Sequence, residues 1–185
     1  MIAKISSSNT LYGALAYNQN KLEDDHAKVI LTNRMIEPAD GNITIQICLQ
    51  SFDPYLIANR KTEKPVFHAS INPDPKDKLT DEQLSQIATE YMQKMGYGDQ
   101  PYIVYKHEDI ARTHIHIVSL RIDEQGRKIS DKFEHRRPRL ANQISFPQFV
   151  KKPRQMLVHI HLQRLAVAAQ KYFPHLKRLN ITRKH

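Results

Sequence analysis

The stretch that decides the fold is residues 102–122, which read YIVYKHEDIARTHIHIVSLRI. β-Branched and aromatic residues fill both ends of this stretch, a composition that is typical of β-strands. The four residues Asp109–Arg112 between the two ends are enough to form a hairpin loop. The sequence therefore predicts a β-hairpin whose strands are Tyr102–Glu108 and Thr113–Ile122.

Three histidines fall on one face of this predicted hairpin. His114 and His116 are two residues apart, and strand side chains alternate between faces, so both point the same way. With a four-residue loop His107 lies directly opposite His114, and opposed residues share a face.

Imidazoles that converge are costly to bury without partners, whereas a divalent cation binds them readily. We therefore predict that the three histidines are metal ligands. Asp109, two residues after His107, is expected to orient one imidazole. The alternative is a surface hairpin that carries histidines without binding a metal.

The other segments mix strands and helices without strict alternation, which favours an α+β fold with an antiparallel sheet. Thr80 and Gln83 form a capping-box pattern ahead of a helix that Gly96 ends. Pro54 is expected to interrupt a helix over residues 43–58. Further strands are predicted at Met1–Ser6, Lys28–Thr32 and Lys64–Ile71, and further helices at Leu11–Asn20 and Gln155–Phe173.

Length and composition exclude several classes of protein. The 185 residues suffice for one domain, and 40% hydrophobic with 25% charged residues excludes a wholly disordered chain. Cys48 is the sole cysteine, so an intrachain disulfide is impossible. No apolar run approaches the roughly 18 residues of a membrane span, and the first ten residues lack a signal-peptide core. We expect a cytoplasmic protein without a membrane segment.

The net charge of +9 is concentrated near the C-terminus. Residues 1–133 contain 16 Lys and Arg against 18 Asp and Glu, whereas residues 134–185 contain 12 Lys and Arg and a single acid, Glu134. A basic segment on a neutral body favours contact with a polyanion, most often nucleic acid. A solvated tail explains the same pattern equally well.

Common catalytic patterns do not occur in the sequence: it has no Walker-type loop, no His-Glu-x-x-His and no Gly-x-Ser-x-Gly. The first predicted helix instead carries two phenols, Tyr12 and Tyr17. Tyr17 lies beside Gly13, its i−4 neighbour, which leaves room for a large substrate. Tyr12 lies beside Leu15 and Ala16, so we expect it to pack.

Together these features resemble the HUH-type relaxases, the mobilisation endonucleases of conjugative and mobilisable elements. The pattern His107-x-Asp109-x4-His114-x-His116 resembles their third motif. The segment ALAYNQNK at residues 14–21 resembles their N-terminal helix, which carries a nucleophilic tyrosine.

More specifically, the chain looks like the mobilisation relaxases of the Bacteroides group, and the resemblance covers about residues 1–137. FHASINP at residues 67–73 is similar to the strand that precedes the intervening helix in those enzymes. The runs NPDPKD at residues 72–77 and MGYG at residues 95–98 are similar as well.

The resemblance implies an antiparallel sheet flanked by helices and a metal-dependent DNA strand transferase. It implies that His107, His114 and His116 hold Mg²⁺ or Mn²⁺ against the scissile phosphate. Tyr17, or alternatively Tyr12, then attacks the phosphate and leaves a 5′-phosphotyrosyl link.

The implied partners are single-stranded origin-of-transfer DNA, accessory mobilisation proteins and a coupling ATPase. Phosphate contacts to DNA come mainly from Lys and Arg. The candidates near the predicted site are Lys21, Lys106 and Arg112, although exposed basic residues are often merely solvated.

The resemblance ends near Arg137, where the composition also changes. We therefore expect a nuclease domain over residues 1–137 and a basic segment over residues 138–185. One explanation of that segment is a natural DNA-binding tail. The other is a truncated or frame-disrupted gene, in which case the chain is an inactive DNA-binding remnant. Replication initiators and transposases often place the tyrosine after the histidines, where only Tyr172 is available. A His₃ zinc hydrolase is a more distant alternative.

Overall fold

A computed structural model of the protein describes residues 1–8, 10–24, 26–74, 76–108, 112–132 and 134. Within these residues the chain forms five strands and three helices. In chain order they are β1 (Ile2–Ser8), α1 (Leu11–Glu23), β2 (Ala27–Asn33), α2 (Ile45–Ala58), β3 (Val66–Asn72), α3 (Asp81–Met95), β4 (Tyr102–His107) and β5 (His114–Leu120).

The strands form one antiparallel sheet in the order β1-β3-β5-β4-β2, which confirms the predicted α+β class. β4 and β5 form the predicted hairpin, and its register pairs His107 with His114 and Tyr102 with Ser119. All seven residues of β5 are buried, because neighbouring strands flank it and helices cover the sheet. The hairpin that carries the histidines therefore lies at the centre of the fold.

Helices cover both faces of the sheet. Leu15 of α1 packs in a cluster with Tyr105, whereas Leu84 of α3 packs in a second cluster with Val104. Because Tyr105 and Val104 are adjacent on β4, the two clusters lie on opposite faces of the sheet. His107, two residues beyond Tyr105, falls on the face that α1 and α2 cover.

The expected interruption at Pro54 is wrong, since α2 continues through the proline to Ala58. A proline in a helix interior costs about 3 kcal/mol or more. Cys48 and Phe52 on the same helix are fully buried, and burying a large apolar side chain contributes about 1.5–3 kcal/mol. Packing against the sheet thus offsets the cost of the proline.

The other elements within the described residues occur where the sequence predicts them, with ends shifted by at most three residues. α3 has the predicted capping box between Thr80 and Gln83, and Gly96 ends it with φ 83°. No helix in this part of the chain is long and apolar enough to cross a membrane. The predicted helix at Gln155–Phe173 lies outside the described residues, and the domain boundary after residue 137 stays a prediction.

Glu134, the single acid among residues 134–185, forms a buried ion pair. Its Oε2 lies 2.6 Å from Nη2 of Arg121, and both side chains are only 2% exposed. The Tyr97 hydroxyl donates to Glu134 Oε1 at 2.6 Å, and the Arg121 guanidinium also donates to the carbonyl of Val66. The network joins the residues after β5 to the start of β3 and the end of α3.

Replacing Glu134 with Ala is expected to lower the free energy of unfolding by about 3–5 kcal/mol, because it leaves the Arg121 charge buried without its partner. Urea unfolding followed by circular dichroism measures the change. The double variant Arg121→Met/Glu134→Leu is the control, and it should recover most of the loss. A single variant that loses less than about 1 kcal/mol would contradict this account.

Candidate active site

Three buried histidines meet on the sheet face beneath α1. One ring nitrogen from each of His107, His114 and His116 lies within 4.8 Å of the others. Their ring centroids are 4.5–5.2 Å apart, and the side chains are 0%, 7% and 8% exposed, respectively. The cross-strand pairing of His107 with His114 and the alternation along β5 produce this convergence. The structure therefore brings together the three histidines that the sequence singled out.

Two members of the cluster have a ring nitrogen that is hydrogen-bonded to a group outside it. Nδ1 of His114 lies 3.3 Å from the carbonyl oxygen of Arg112. A carbonyl only accepts, so Nδ1 carries the hydrogen and Nε2 carries the lone pair. Nδ1 of His116 lies 2.9 Å from Nε2 of His68, where one imidazole donates and the other accepts.

His68 on β3 is a site residue that the sequence analysis did not single out. It lies opposite Val118 on β5, and its ring centroid is 5.1 Å from that of His116. Burial lowers the pKa of the His68 imidazole, which favours its neutral form. A neutral His68 can accept from Nδ1 of His116, and in that arrangement Nε2 of His116 keeps its lone pair.

This donor set fits a divalent metal ion. Metal-bound histidines characteristically use one ring nitrogen as ligand and bond the other to a nearby protein group. His114 and His116 have that arrangement, and Nε2 of His107 bonds to Asn18 in the same way. Three imidazoles are softer donors than the carboxylates that Mg²⁺ favours, which makes a transition ion such as Mn²⁺ the better probe.

Tyr17 on α1 lies over the histidines. Its ring centroid is 6.1 Å from that of His107, with the rings nearly parallel at 19°, and 5.9 Å from that of His116. The side chain is 49% exposed, although it contacts two buried imidazoles. The phenol is therefore next to the cluster and open to a substrate at the same time.

Tyr12 does not pack as expected, since its side chain is 61% exposed. Five positions separate the two tyrosines, which places them about 140° apart around the helix. The side chain of Thr10 occupies part of the space beside Gly13, because a Cβ added at Gly13 would lie only 3.0 Å from Thr10 Oγ1. Position on the helix, rather than the glycine, gives Tyr17 its access to the histidines.

The three candidate DNA-binding residues lie in different places. Lys21 is one helical turn after Tyr17, so the two are neighbours on α1. Arg112 is exposed and lies two residues before the start of β5. Lys106 lies on the opposite sheet face from His107, with Nζ 2.8 Å from Glu108 and 3.3 Å from Asp81. Asp109 lies outside the described residues, so its orienting role stays a prediction.

The comparison with protein families gives the class to which this fold and site belong. The model of the relaxase family, MobA/VirD2-like nuclease domain, matches residues 17–144. The match covers more than half of the chain, begins at Tyr17 and includes all three histidines. The chain belongs to the relaxase family and is a relaxase-type nuclease domain. A comparison with curated proteins finds no match.

Proposed function

We propose that the protein nicks one DNA strand at an origin of transfer and becomes covalently joined to the cut end through Tyr17. The observation that carries this proposal is the half-exposed Tyr17 phenol beside two of three histidines whose nitrogens lie within 4.8 Å of one another. A nucleophile beside a cluster that can hold a metal ion supplies both the attacking group and the charge stabilisation for phosphoryl transfer to a protein side chain.

The proposed step exchanges one phosphodiester bond for another. The deprotonated Tyr17 oxygen attacks the scissile phosphorus, the bond from phosphorus to the 3′ oxygen breaks, and that oxygen takes a proton to become a 3′-hydroxyl. A divalent ion held by the histidines, Mg²⁺ or Mn²⁺, would neutralise charge that develops on the phosphoryl oxygens. The number of phosphoester bonds is unchanged, so the reverse step rejoins DNA without ATP.

Lys21 and Arg112 are the residues we propose for contact with the DNA backbone. Lys21 is a neighbour of Tyr17 on α1, and Arg112 precedes the strand that carries two of the histidines. Pairing between Lys or Arg and phosphate makes such binding sensitive to salt. Lys106 is not included, because its ammonium bonds to two carboxylates on the other sheet face. Accessory mobilisation proteins and a coupling ATPase remain proposed partners.

A cleavage assay on labelled single-stranded DNA tests the proposed function. Oligonucleotides that span the transfer origin of the element carrying the gene are incubated with the protein and either Mn²⁺ or EDTA. We expect a protein–DNA band that survives denaturing electrophoresis and forms only with the metal ion. A label 3′ of the cut should migrate with the protein, and a label 5′ of the cut should appear as a shortened free strand.

Religation of the cleaved strand provides a second test of the proposed function in the same assay. Adding an oligonucleotide that ends in the cleaved 3′-hydroxyl should consume the adduct and give a longer labelled product, because the step is reversible. DNA binding without adduct, from folded protein, would favour the inactive DNA-binding remnant. Metal-dependent hydrolysis without adduct would favour a histidine-metal hydrolase instead.

A further inference from the structure

Asn18 is a fully buried polar side chain one residue after Tyr17. It shares the buried side of α1 with Leu11, Ala14 and Leu15, which are all apolar. An amide is costly to bury unless its donors and acceptor are hydrogen-bonded. The presence of Asn at this position therefore depends on the bonds it makes there.

The two ends of the amide have different partners. Nδ2 of Asn18 donates to the carbonyl oxygen of Ala14 at 2.7 Å, one turn earlier on the same helix. Oδ1 lies 2.9 Å from Nε2 of His107 on β4. Because the Ala14 carbonyl can only accept, the amide nitrogen must point toward it, and the oxygen must point toward the histidine.

This orientation determines the tautomer of His107. Oδ1 can only accept, so Nε2 of His107 carries the hydrogen and donates it. Nδ1 then carries the ring lone pair, which is the form that a metal ligand needs. The same hydrogen bond joins α1, which carries Tyr17, to the first histidine of the cluster.

We propose that Asn18 is a positioning residue that holds His107 in the Nδ1-ligating tautomer and fixes the ring on which Tyr17 stacks. The inference rests on the proposed function, since it assumes that the histidines bind a metal. The rings of Tyr17 and His107 are nearly parallel, so the orientation of one also sets the surface available to the other. Asn18 thus links the nucleophile and the metal ligands without touching DNA.

Two substitutions separate the two hydrogen bonds of Asn18. Asn18→Asp keeps an oxygen that accepts from His107 but cannot donate to the carbonyl of Ala14. Asn18→Leu removes both bonds and keeps the number and the branching of the side-chain heavy atoms. A purely structural Asn18 predicts that both variants lose thermal stability and that neither changes metal affinity. A positioning Asn18 predicts that Asn18→Leu alone loses metal affinity.

The experiment titrates Mn²⁺ into the full chain without DNA and follows the free ion by electron paramagnetic resonance. We expect Asn18→Leu to weaken Mn²⁺ binding by about 10–100-fold, the usual effect of losing a group that orients a metal ligand. Asn18→Asp should stay within about threefold of the unsubstituted chain and lose thermal stability. Asn20→Leu, at an exposed position on the same helix, is the matched control and should change neither.

Nitrogen NMR of ¹⁵N-histidine-labelled protein reads the tautomer directly, with His107 assigned by the signal lost in His107→Gln. The Nε2–H form is expected in the unsubstituted chain and in Asn18→Asp, and a mixture of tautomers in Asn18→Leu. If the Asn18→Leu variant does not fold, Asn18→Ala is used in its place, since it also removes both hydrogen bonds. Unchanged affinity and tautomer in the folded Leu or Ala variant would overturn the proposal.

The NMR result also separates this inference from the proposed function. If the unsubstituted chain does not bind Mn²⁺, the metal site of the proposed function fails, whereas the tautomer still shows whether Asn18 controls His107. If Mn²⁺ binds equally well to every variant, the metal site stands and the positioning role is wrong.

Discussion

Replacing Tyr17 with Phe is expected to abolish the covalent protein–DNA adduct and to lower strand cleavage by at least about 10⁴-fold. The substitution removes only the phenol oxygen, which in the proposed function forms the new phosphoester bond. The ring that stacks on His107 stays, so the fold and the metal affinity should be unchanged. Quantifying the adduct at fixed time points on a denaturing gel measures the effect.

Tyr12→Phe is the matched control for this experiment. Tyr12 is on the same helix and is somewhat more exposed than Tyr17, but it lies about 140° away around the helix axis. We expect its adduct to form at a rate within about threefold of the unsubstituted chain. A Tyr12→Phe variant without adduct, beside an active Tyr17→Phe variant, would assign the nucleophile to Tyr12 and contradict the account.

Replacing His116 with Ala is expected to lower cleavage by about 10³-fold or more. His116 is the middle member of the cluster, with ring centroids of His107 and His114 at 4.5 and 5.1 Å. Losing it removes one of the three proposed metal ligands and the hydrogen-bond partner of His68. Cleavage rates across an Mn²⁺ titration measure the change, and excess Mn²⁺ should restore activity only in part.

The His116→Ala variant should lose strand cleavage but keep its affinity for single-stranded DNA. The His116 side chain is only 8% exposed and offers little surface for pairing with phosphates, so the affinity for single-stranded DNA in EDTA should stay within about threefold. His26→Ala, which removes an exposed histidine next to β2, is the control and should cleave normally. Full cleavage by His116→Ala at low Mn²⁺ would show that the cluster does not hold the catalytic metal.

The histidine cluster could be predicted because it depends on local geometry. A four-residue loop sets the register of a hairpin, and alternation along β5 then places His114 and His116 on the face of His107. Both rules act over fewer than a dozen residues. The structure has the register that these rules predict.

His68 and Asn18 could not be assigned from the sequence because their contacts are long-range. His68 meets His116 only because β3 pairs with β5, and 48 residues separate the two histidines along the chain. Asn18 meets His107 across 89 residues. A signal for Asn18 was nevertheless present, since it is an amide at a position of the helix that otherwise carries apolar residues.

Lys106 was a candidate DNA-binding residue because it is adjacent to His107 in the sequence. Adjacent residues on a strand point to opposite faces, so the neighbour of an active-site residue is directed away from the site. Lys106 bonds to Asp81 of α3 and to Glu108 instead. The continuous helix through Pro54 has a comparable cause, because packing against the sheet outweighs a local preference.

The most direct test of the account is mass spectrometry of the covalent adduct after digestion with nuclease and trypsin. Trypsin cuts after Lys4 and Lys21, so one peptide of residues 5–21 contains both tyrosines, and fragment ions must locate the added mass. The account predicts a nucleotide joined through its 5′ phosphate to Tyr17. A modification on Tyr12, on a histidine or on no residue of this peptide would contradict it.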